Sequence, residues 1–242
     1  MLRRRRVFSL LPSGLIVAAG CLSGEYDKEF AASLDRHRQE AAFQQLVPAA
    51  QEIAGGRLMI RPPRALKDQD DGCVQPWAKP PFLATLPGFT VAYGLAMAEE
   101  PKVHATLSVA VPTDKDSGLE DLKKSILQQV QTAPAFAKAK PSWAPAEGLP
   151  GGGPQWSVLS LPGKQPFVHV KDDKPATTDL EGETQIWLAA DTATKAAAIL
   201  VWRVPQAAAG GVALNELAPL VARKVEFRAV AEPAAAAQSA AQ

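Results

Sequence analysis

The chain has 242 residues, and its 26 lysines and arginines nearly balance its 25 aspartates and glutamates. Four of the arginines lie within the first six residues, so the chain from Cys21 onward carries a formal net charge of −3. No basic surface of the kind that binds nucleic acid is expected, and two cysteines do not make a disulfide framework. The remaining length is enough for one substantial core.

The first 21 residues have the three parts of an export signal. A basic start, Arg3 to Arg6, is followed by a mainly apolar run, Val7 to Gly20. This run is shorter than the roughly 20 residues that a helix needs to cross a bilayer. A short apolar run after a basic start and before small residues predicts a signal peptide over residues 1–20.

The end of this leader, Val17-Ala18-Ala19-Gly20-Cys21, resembles the lipobox of bacterial lipoproteins. Ala18 stands where that family usually has leucine. The resemblance implies cleavage before Cys21, a diacylglycerol on its sulfur and an acyl chain such as palmitate on its new amine. It also implies a protein anchored to the cell membrane or outer membrane and facing the periplasm or the exterior. Leu22 in place of aspartate favours the outer membrane in Gram-negative bacteria.

Two alternatives remain for the leader. An ordinary secretory signal would be cut elsewhere and leave Cys21 incidental. The run Arg4-Arg5-Arg6-Val7-Phe8 also has the look of a twin-arginine signal, which would export a folded protein. That second route leaves room for a substrate that carries a cofactor, whereas the lipoprotein interpretation predicts none.

The chain after the leader divides into three predicted parts. Residues 21–56 form a helical segment, because Tyr26, Phe30 and Leu34 recur at helical spacing from Glu25 to Ala54. This helix is expected to end or kink near Leu46 because of Pro48. It would act as a stalk or partner-binding helix, or pack on its own domain. Residues 57–228 form the main domain, and the Ala-rich tail, residues 229–242, is predicted to be disordered.

The main domain is predicted from hydrophobic periodicity and turn residues. A capping box at Ser117 to Glu120 starts its central helix, and Asn215 is a candidate N-cap for the last one. Phe89 to Val111 alternates as a hairpin with one covered face. The predicted elements are a strand at Arg57–Arg61, the hairpin, a helix ending near Thr132, strands at Gln155–Leu161 and Phe167–Val170, a hairpin of Thr184–Ala190 and Ala196–Val204, and a helix at Leu214–Phe227. Two irregular segments, Arg64–Pro87 and Thr132–Pro154, interrupt them.

Because hairpins dominate and strands do not alternate with helices throughout, the pattern predicts an α+β fold. Its mainly antiparallel β-sheet would be covered by helices. The order of elements resembles that of the PsbP and Mog1 type of α/β/α sandwich. This resemblance implies a sandwich arrangement and a non-catalytic accessory role.

The usual catalytic and zinc-binding patterns are missing from the sequence. The three histidines, His37, His104 and His169, have no close ligand pair such as HExxH, and no GxSxG elbow occurs. His104 and His169 could meet on adjacent strands. Cys73 lies beside Asp70 and Asp71, whose charge would disfavour its thiolate.

The remaining candidates lie in the two irregular segments. Asp68, Asp70 and Asp71 before Gly72 are a weak calcium site, because they depart from the EF-hand register. Trp77 and Trp143 are candidates for an exposed patch that binds a partner. The sequence thus favours a lipid-anchored, non-catalytic binding or accessory module of the cell envelope with a protein partner. The alternative is an exported hydrolase with an unidentified site.

Overall fold

The computed structural model describes residues 19–67, 80–83, 85–97, 102–112, 118–147, 149, 153–171 and 174–229. The chain divides into two compact units, Met1–Ala42 and Phe43–Gln242. The first unit contains most of helix α1, Ala19–Phe43. The second unit contains two antiparallel sheets and their covering helices, so the α+β prediction is confirmed.

One row of apolar side chains on α1 is exposed. Tyr26, Phe30 and Leu34 are 67%, 55% and 40% exposed, and the rings of Tyr26 and Phe30 stack with centroids 6.3 Å apart. The spacing of four residues places all three on one side of the helix. Among the helices of the described residues, none has both the length and the apolar character needed to span a membrane.

The helix predicted to reach Ala54 ends at Phe43 instead. Strand β1, Gln51–Ile53, pairs with strand β2, Leu58–Ile60. The residues read as a helix stop, Gly55 and Gly56, form the turn between them with positive φ. Pro48 prevents the helix from continuing because it has no N–H to donate. Strands β1 and β2 both belong to the compact unit that begins at Phe43.

The larger sheet has six strands in the order β3-β4-β8-β7-β6-β5. Neighbouring strands in this sheet are antiparallel. The strands are β3 (Phe89–Ala96), β4 (His104–Ala110), β5 (Ala144–Pro145), β6 (Ser157–Lys171), β7 (Lys174–Asp191) and β8 (Ala196–Pro205). The helices that follow β2, β4 and β8 are α2 (Arg64–Lys67), α3 (Leu119–Thr132) and α4 (Leu214–Arg223).

One face of this sheet, which we call the α3 face, packs against helix α3. The helix buries Leu122, Ile126 and Val130 on the stripe that the sequence predicts. Sheet residues in the same core include Ile186 and Val201. The opposite face, the α4 face, carries the alternate residues of each strand, because successive side chains of a strand point to opposite sides. Gln185 on this face bonds Asn215 of α4.

Several predicted element bounds are wrong. The two strands expected between Gln155 and Val170 are one strand, β6, and β7 begins ten residues before Thr184 because both strands continue one long ladder. The last helix ends at Arg223, and Glu226–Phe227 forms strand β9, which pairs with β2 in the smaller sheet. Strand β4, a central strand of the sheet, is buried on both faces after His104.

The described starts of α3 and α4 differ from the predicted caps. The N-cap of α3 is Gly118, and Lys123 donates to Glu120 at 3.0 Å; Ser117 of the predicted capping box lies outside the described residues. Ala213 is the N-cap of α4 in place of Asn215, whose side chain bonds the sheet instead.

The hairpin of β6 and β7 carries a facing glycine pair at its middle. Gly163 lies directly opposite Gly182, and Gly163 has a φ of +116°. Glycine inside a strand commonly marks a bend. Beyond this pair, the Arg203 side chain of β8 donates to the backbone oxygen of Pro166, and the backbone of Val168 forms a hydrogen bond with His104 of β4. The outer half of the hairpin therefore lies over the α3 face.

Candidate functional site

A cavity of about 530 Å³ lies on the α4 face, where the hairpin of β6 and β7 approaches the start of α4. Three carboxylates, those of Glu181, Glu183 and Glu216, line it together with the apolar side chains of Val204, Val212 and Leu214. Among the described residues that line the cavity, none is lysine, arginine or histidine. We call this cavity the acidic cleft.

The acidic residues of the cleft come from a strand and a helix. Glu181 and Glu183 are two residues apart on β7, so both point to the α4 face. Glu216 lies in the first turn of α4, where a negative charge is favourable beside the helix N-terminus. In the β6–β7 ladder Lys164 lies opposite Glu181, whereas Pro162 lies opposite Glu183, so the register gives Glu183 no opposing cation.

A hydrogen-bonded side-chain network holds Glu183 in the cleft wall. The amide nitrogen of the buried Gln185 donates to Glu183 Oε1 at 2.8 Å and to Asn215 Oδ1 at 2.9 Å. The indole of Trp187 donates to Gln185 Oε1 at 3.0 Å. Because both ends of the Gln185 amide are engaged, Glu183 is fixed relative to α4. The cleft is therefore pre-formed rather than assembled around a ligand.

A second group of polar side chains is buried on the α3 face, under the outer half of the hairpin. Arg203 is only 1% exposed, and burial lowers its pKa to about 10. Its guanidinium carbon lies 5.5 Å from the ring of Phe82 and 5.2 Å from that of Phe167. Beside it, the hydroxyl of Thr184 donates to Gln165 Oε1 at 2.6 Å. We call this group the buried polar cluster.

The two histidines that the sequence placed on neighbouring strands do come together in this cluster. They lie on β4 and on β6, which are not adjacent strands, and the bend of the hairpin brings them close. His169 is buried and its Nε2 lies 3.0 Å from the Thr178 hydroxyl. In the part of the chain that the structure describes, no aspartate or glutamate forms an ion pair with Arg203 or His169.

We expect His104 to make the protein less stable in mild acid. Burial is the main cause that lowers the pKa of His104, the charge of His169 lowers it further, and a bond to the backbone of Val168 opposes both. An unfolded histidine titrates near pH 6.5. Below about that pH the unfolded chain binds the proton first, so the free energy of unfolding falls as the pH falls.

Urea unfolding at a series of pH values, from about pH 7 to about pH 5, measures this dependence. His104→Gln should flatten the fall in stability, whereas His37→Gln, which replaces an exposed histidine of α1, should leave it unchanged. An equal slope in wild type and His104→Gln would contradict the expectation.

Most residues singled out from the sequence lie outside the described residues. Asp68, Asp70, Asp71, Cys73 and Trp77 do so, as do Ser117 and the tail from residue 230. The backbone at Cys21 lies in α1. Among the described residues, no three side chains of the metal-binding types come close enough to share an ion.

Trp143 is half-buried rather than fully exposed. Its indole nitrogen donates to the backbone oxygen of Lys123 in α3 at 3.2 Å, and its ring packs against the core under that helix. It also lines a cavity of about 570 Å³ beside strand β5. Its role in binding a partner stays a prediction.

The residues that the structure adds are the carboxylates of the acidic cleft. Glu181 and Glu183 fall in a stretch that the sequence pattern leaves without a strand. If this stretch is recognised as a strand, Glu181 and Glu183 are two residues apart in it and are predicted to share one face. The available signal is that alternation, with Leu180 and Gly182 between Asp179, Glu181 and Glu183.

Comparison with known proteins leaves the family of the chain open. No protein-family model matches it, and no curated protein sequence does either. Solved structures that are similar to it include the following two. Cyanobacterial PsbP (CyanoP) from Synechocystis sp. PCC 6803 is 13% identical, with a TM-score of 0.37, over 74% of this chain and 92% of that one. The Saccharomyces cerevisiae Ran-binding protein Mog1p is 12% identical, with a TM-score of 0.39, over 75% of this chain and 96% of that one.

Proposed function

We propose that the chain is a lipid-anchored protein of the cell envelope, attached through Cys21. Its α+β unit would be a non-catalytic module that binds a basic segment of a partner protein. The acidic cleft is the observation that carries this proposal. It combines apolar walls with three carboxylates and no opposing cation among its described lining residues. A lysine or arginine side chain fits such a surface, because it has an apolar stem and a charged end.

The contacts of Glu183 suit the binding of a cation. Its described hydrogen-bond partner is the amide of Gln185, which fixes the orientation of the carboxylate in the cleft wall. A fixed acceptor beside apolar walls matches the charged end and the apolar stem of a lysine or arginine side chain. The alternative, an exported hydrolase, lacks an equivalent support in the described residues and stays a prediction from the sequence.

We expect Glu183→Gln to weaken the binding of a basic peptide about tenfold, since a hydrogen bond to a charged group contributes roughly 1.5 kcal/mol or more. The probe is a blocked peptide of alternating lysine and leucine, and its affinity is measured by calorimetry at low ionic strength. A peptide with glutamate in place of lysine should not bind.

The matched control is Glu52→Gln, which removes the same charge from an exposed position on β1. If Glu52→Gln weakens binding as much as Glu183→Gln, the attraction is a property of net charge and the cleft is not the site. Failure of the wild type to bind the lysine peptide would also contradict the proposal. Raising the salt concentration should weaken binding in wild type, because exposed charges are screened.

The anchor is tested separately by intact mass. Wild type and Cys21→Ala are expressed in a host that processes lipoproteins, and the membrane fraction is analysed. We expect a wild-type chain that starts at Cys21 with added acyl chains, and a mutant without them. An unmodified chain released equally from both strains would mean a secreted protein, and the anchor would be withdrawn while the cleft proposal stands.

A further inference from the structure

The buried polar cluster contains the cationic side chain of Arg203, which is not part of the acidic cleft. Arg203 lies on the α3 face, on the side of the sheet away from the cleft carboxylates. One of its terminal nitrogens donates to the backbone oxygen of Pro166. Its Nε has no hydrogen-bond partner among the described residues. A buried charge is costly unless it is paired and hydrogen-bonded.

A second buried donor lies directly beside it. Thr106 of β4 is opposite Arg203 in the β4–β8 ladder, so the two side chains share the α3 face. Thr106 is 3% exposed, and its hydroxyl likewise has no partner within the described part of the chain. Buried polar atoms are nearly always hydrogen-bonded. Two such atoms on facing residues therefore point to a shared acceptor.

We propose that Arg203 Nε and Thr106 Oγ1 form a binding site for a small oxyanion, that is, a carboxylate or a phosphate group. Both atoms can donate, and an arginine is the side chain whose donors best match such oxygens. The rings of Phe82 and Phe167 flank the guanidinium, so an oxyanion there would interact with it in an environment shielded from water.

Thermal unfolding of the full chain in increasing phosphate, and separately in acetate, tests the site, with sodium chloride holding ionic strength constant. The melting temperature of wild type should rise with the logarithm of the oxyanion concentration once that concentration exceeds the dissociation constant, because a ligand that binds only the folded state stabilises it. Thr106→Val keeps the shape of the side chain and removes the hydroxyl. It should raise the apparent dissociation constant about fivefold or more. A response to one salt only would identify the oxyanion as phosphate or carboxylate.

Thr184→Val is the control, because Thr184 is buried on the same face and its hydroxyl already has a partner in Gln165. It should lower the melting temperature without changing the dependence on oxyanion. Arg203→Lys keeps the charge and removes Nε, and should lose the dependence if it folds. The proposal is wrong if wild type shows no such logarithmic rise, or if Thr106→Val responds as wild type does. In the first case the charge of Arg203 is balanced within the chain.

Discussion

Gly88→Ala should destabilise the α+β unit by more than about 4 kcal/mol, a loss that single substitutions rarely cause. Gly88 has a φ of +69°, and a Cβ at this position would lie 2.3 Å from the backbone oxygen of Val111 and 2.7 Å from the nitrogen of Pro112. Both are backbone atoms of the residues that directly follow β4, and unlike the end of a side chain they cannot rotate away. The same two residues also share a backbone hydrogen bond, in which the Val111 N–H donates to Gly88 O at 2.8 Å.

The measurement is urea unfolding monitored by tryptophan fluorescence. Where the slope of the unfolding free energy against urea concentration is the same in two variants, a difference in midpoint reports a difference in stability. Gly55→Ala is a matched control, because Gly55 has a φ of +67° but nothing within 4 Å of the added atom. It should cost only the conformational strain of a left-handed residue, about 1–2 kcal/mol. Equal losses in the two variants would show that the close approach at Val111 is relieved by a small shift of the strand.

Hydrophobic periodicity predicted those parts of the fold in which one side of an element faces a core. Helix α3 and the hairpin of β3 and β4 were correctly placed for this reason, since Leu122, Ile126 and Val130 repeat at helical spacing and residues 103–111 alternate. Burial on both faces of β4 was not predicted, because Thr106 and Ser108 look like solvent-facing residues. Both side chains are buried, because elements distant in sequence pack against β4.

The long hairpin of β6 and β7 could not be predicted for a related reason. Residues 174–183 are polar, and their strand is held by ladder bonds to β6 rather than by burial of apolar side chains. Pro162 and Pro166 also argue against a continuous strand. Both groups of site residues depend on this long hairpin, which the sequence pattern does not predict. The acidic cleft requires Glu181 and Glu183 on one face of β7, and the buried polar cluster requires the bend at Gly163 and Gly182.

The bend also explains why two histidines far apart in the strand order meet. His104 is on the second strand of the sheet and His169 on the fifth, and in a flat sheet two strands would lie between them, a separation of about 14 Å at least. Sequence spacing carries no information on such a return. A glycine pair in the middle of a hairpin is the one local signal, since glycine weakens a strand and permits a sharp change of direction.

Gly182→Ala should therefore cost about 3 kcal/mol or more, at the upper end of the range for overpacking. A Cβ at this position would lie 2.5 Å from Cζ of the fully buried Phe167 and 2.6 Å from the backbone oxygen of Val204. Phe167 cannot move without leaving Arg203, and Val204 is held in the sheet between β7 and β4. The added methyl group must displace one of them.

A double-mutant cycle with Phe167→Leu identifies the cause of this loss. Leucine lacks the ring atoms that meet the new methyl group, so the double mutant should lose at least about 1 kcal/mol less than the two single variants together. Gly210→Ala, where an added methyl group meets nothing within 4 Å, should change stability by less than about 1 kcal/mol. Additive losses in the cycle would assign the cost to the contact with Val204 alone. The outer half of the hairpin would then be held over the α3 face by the hydrogen bond that Arg203 donates to the backbone oxygen of Pro166, and not by the packing of Phe167 on Gly182.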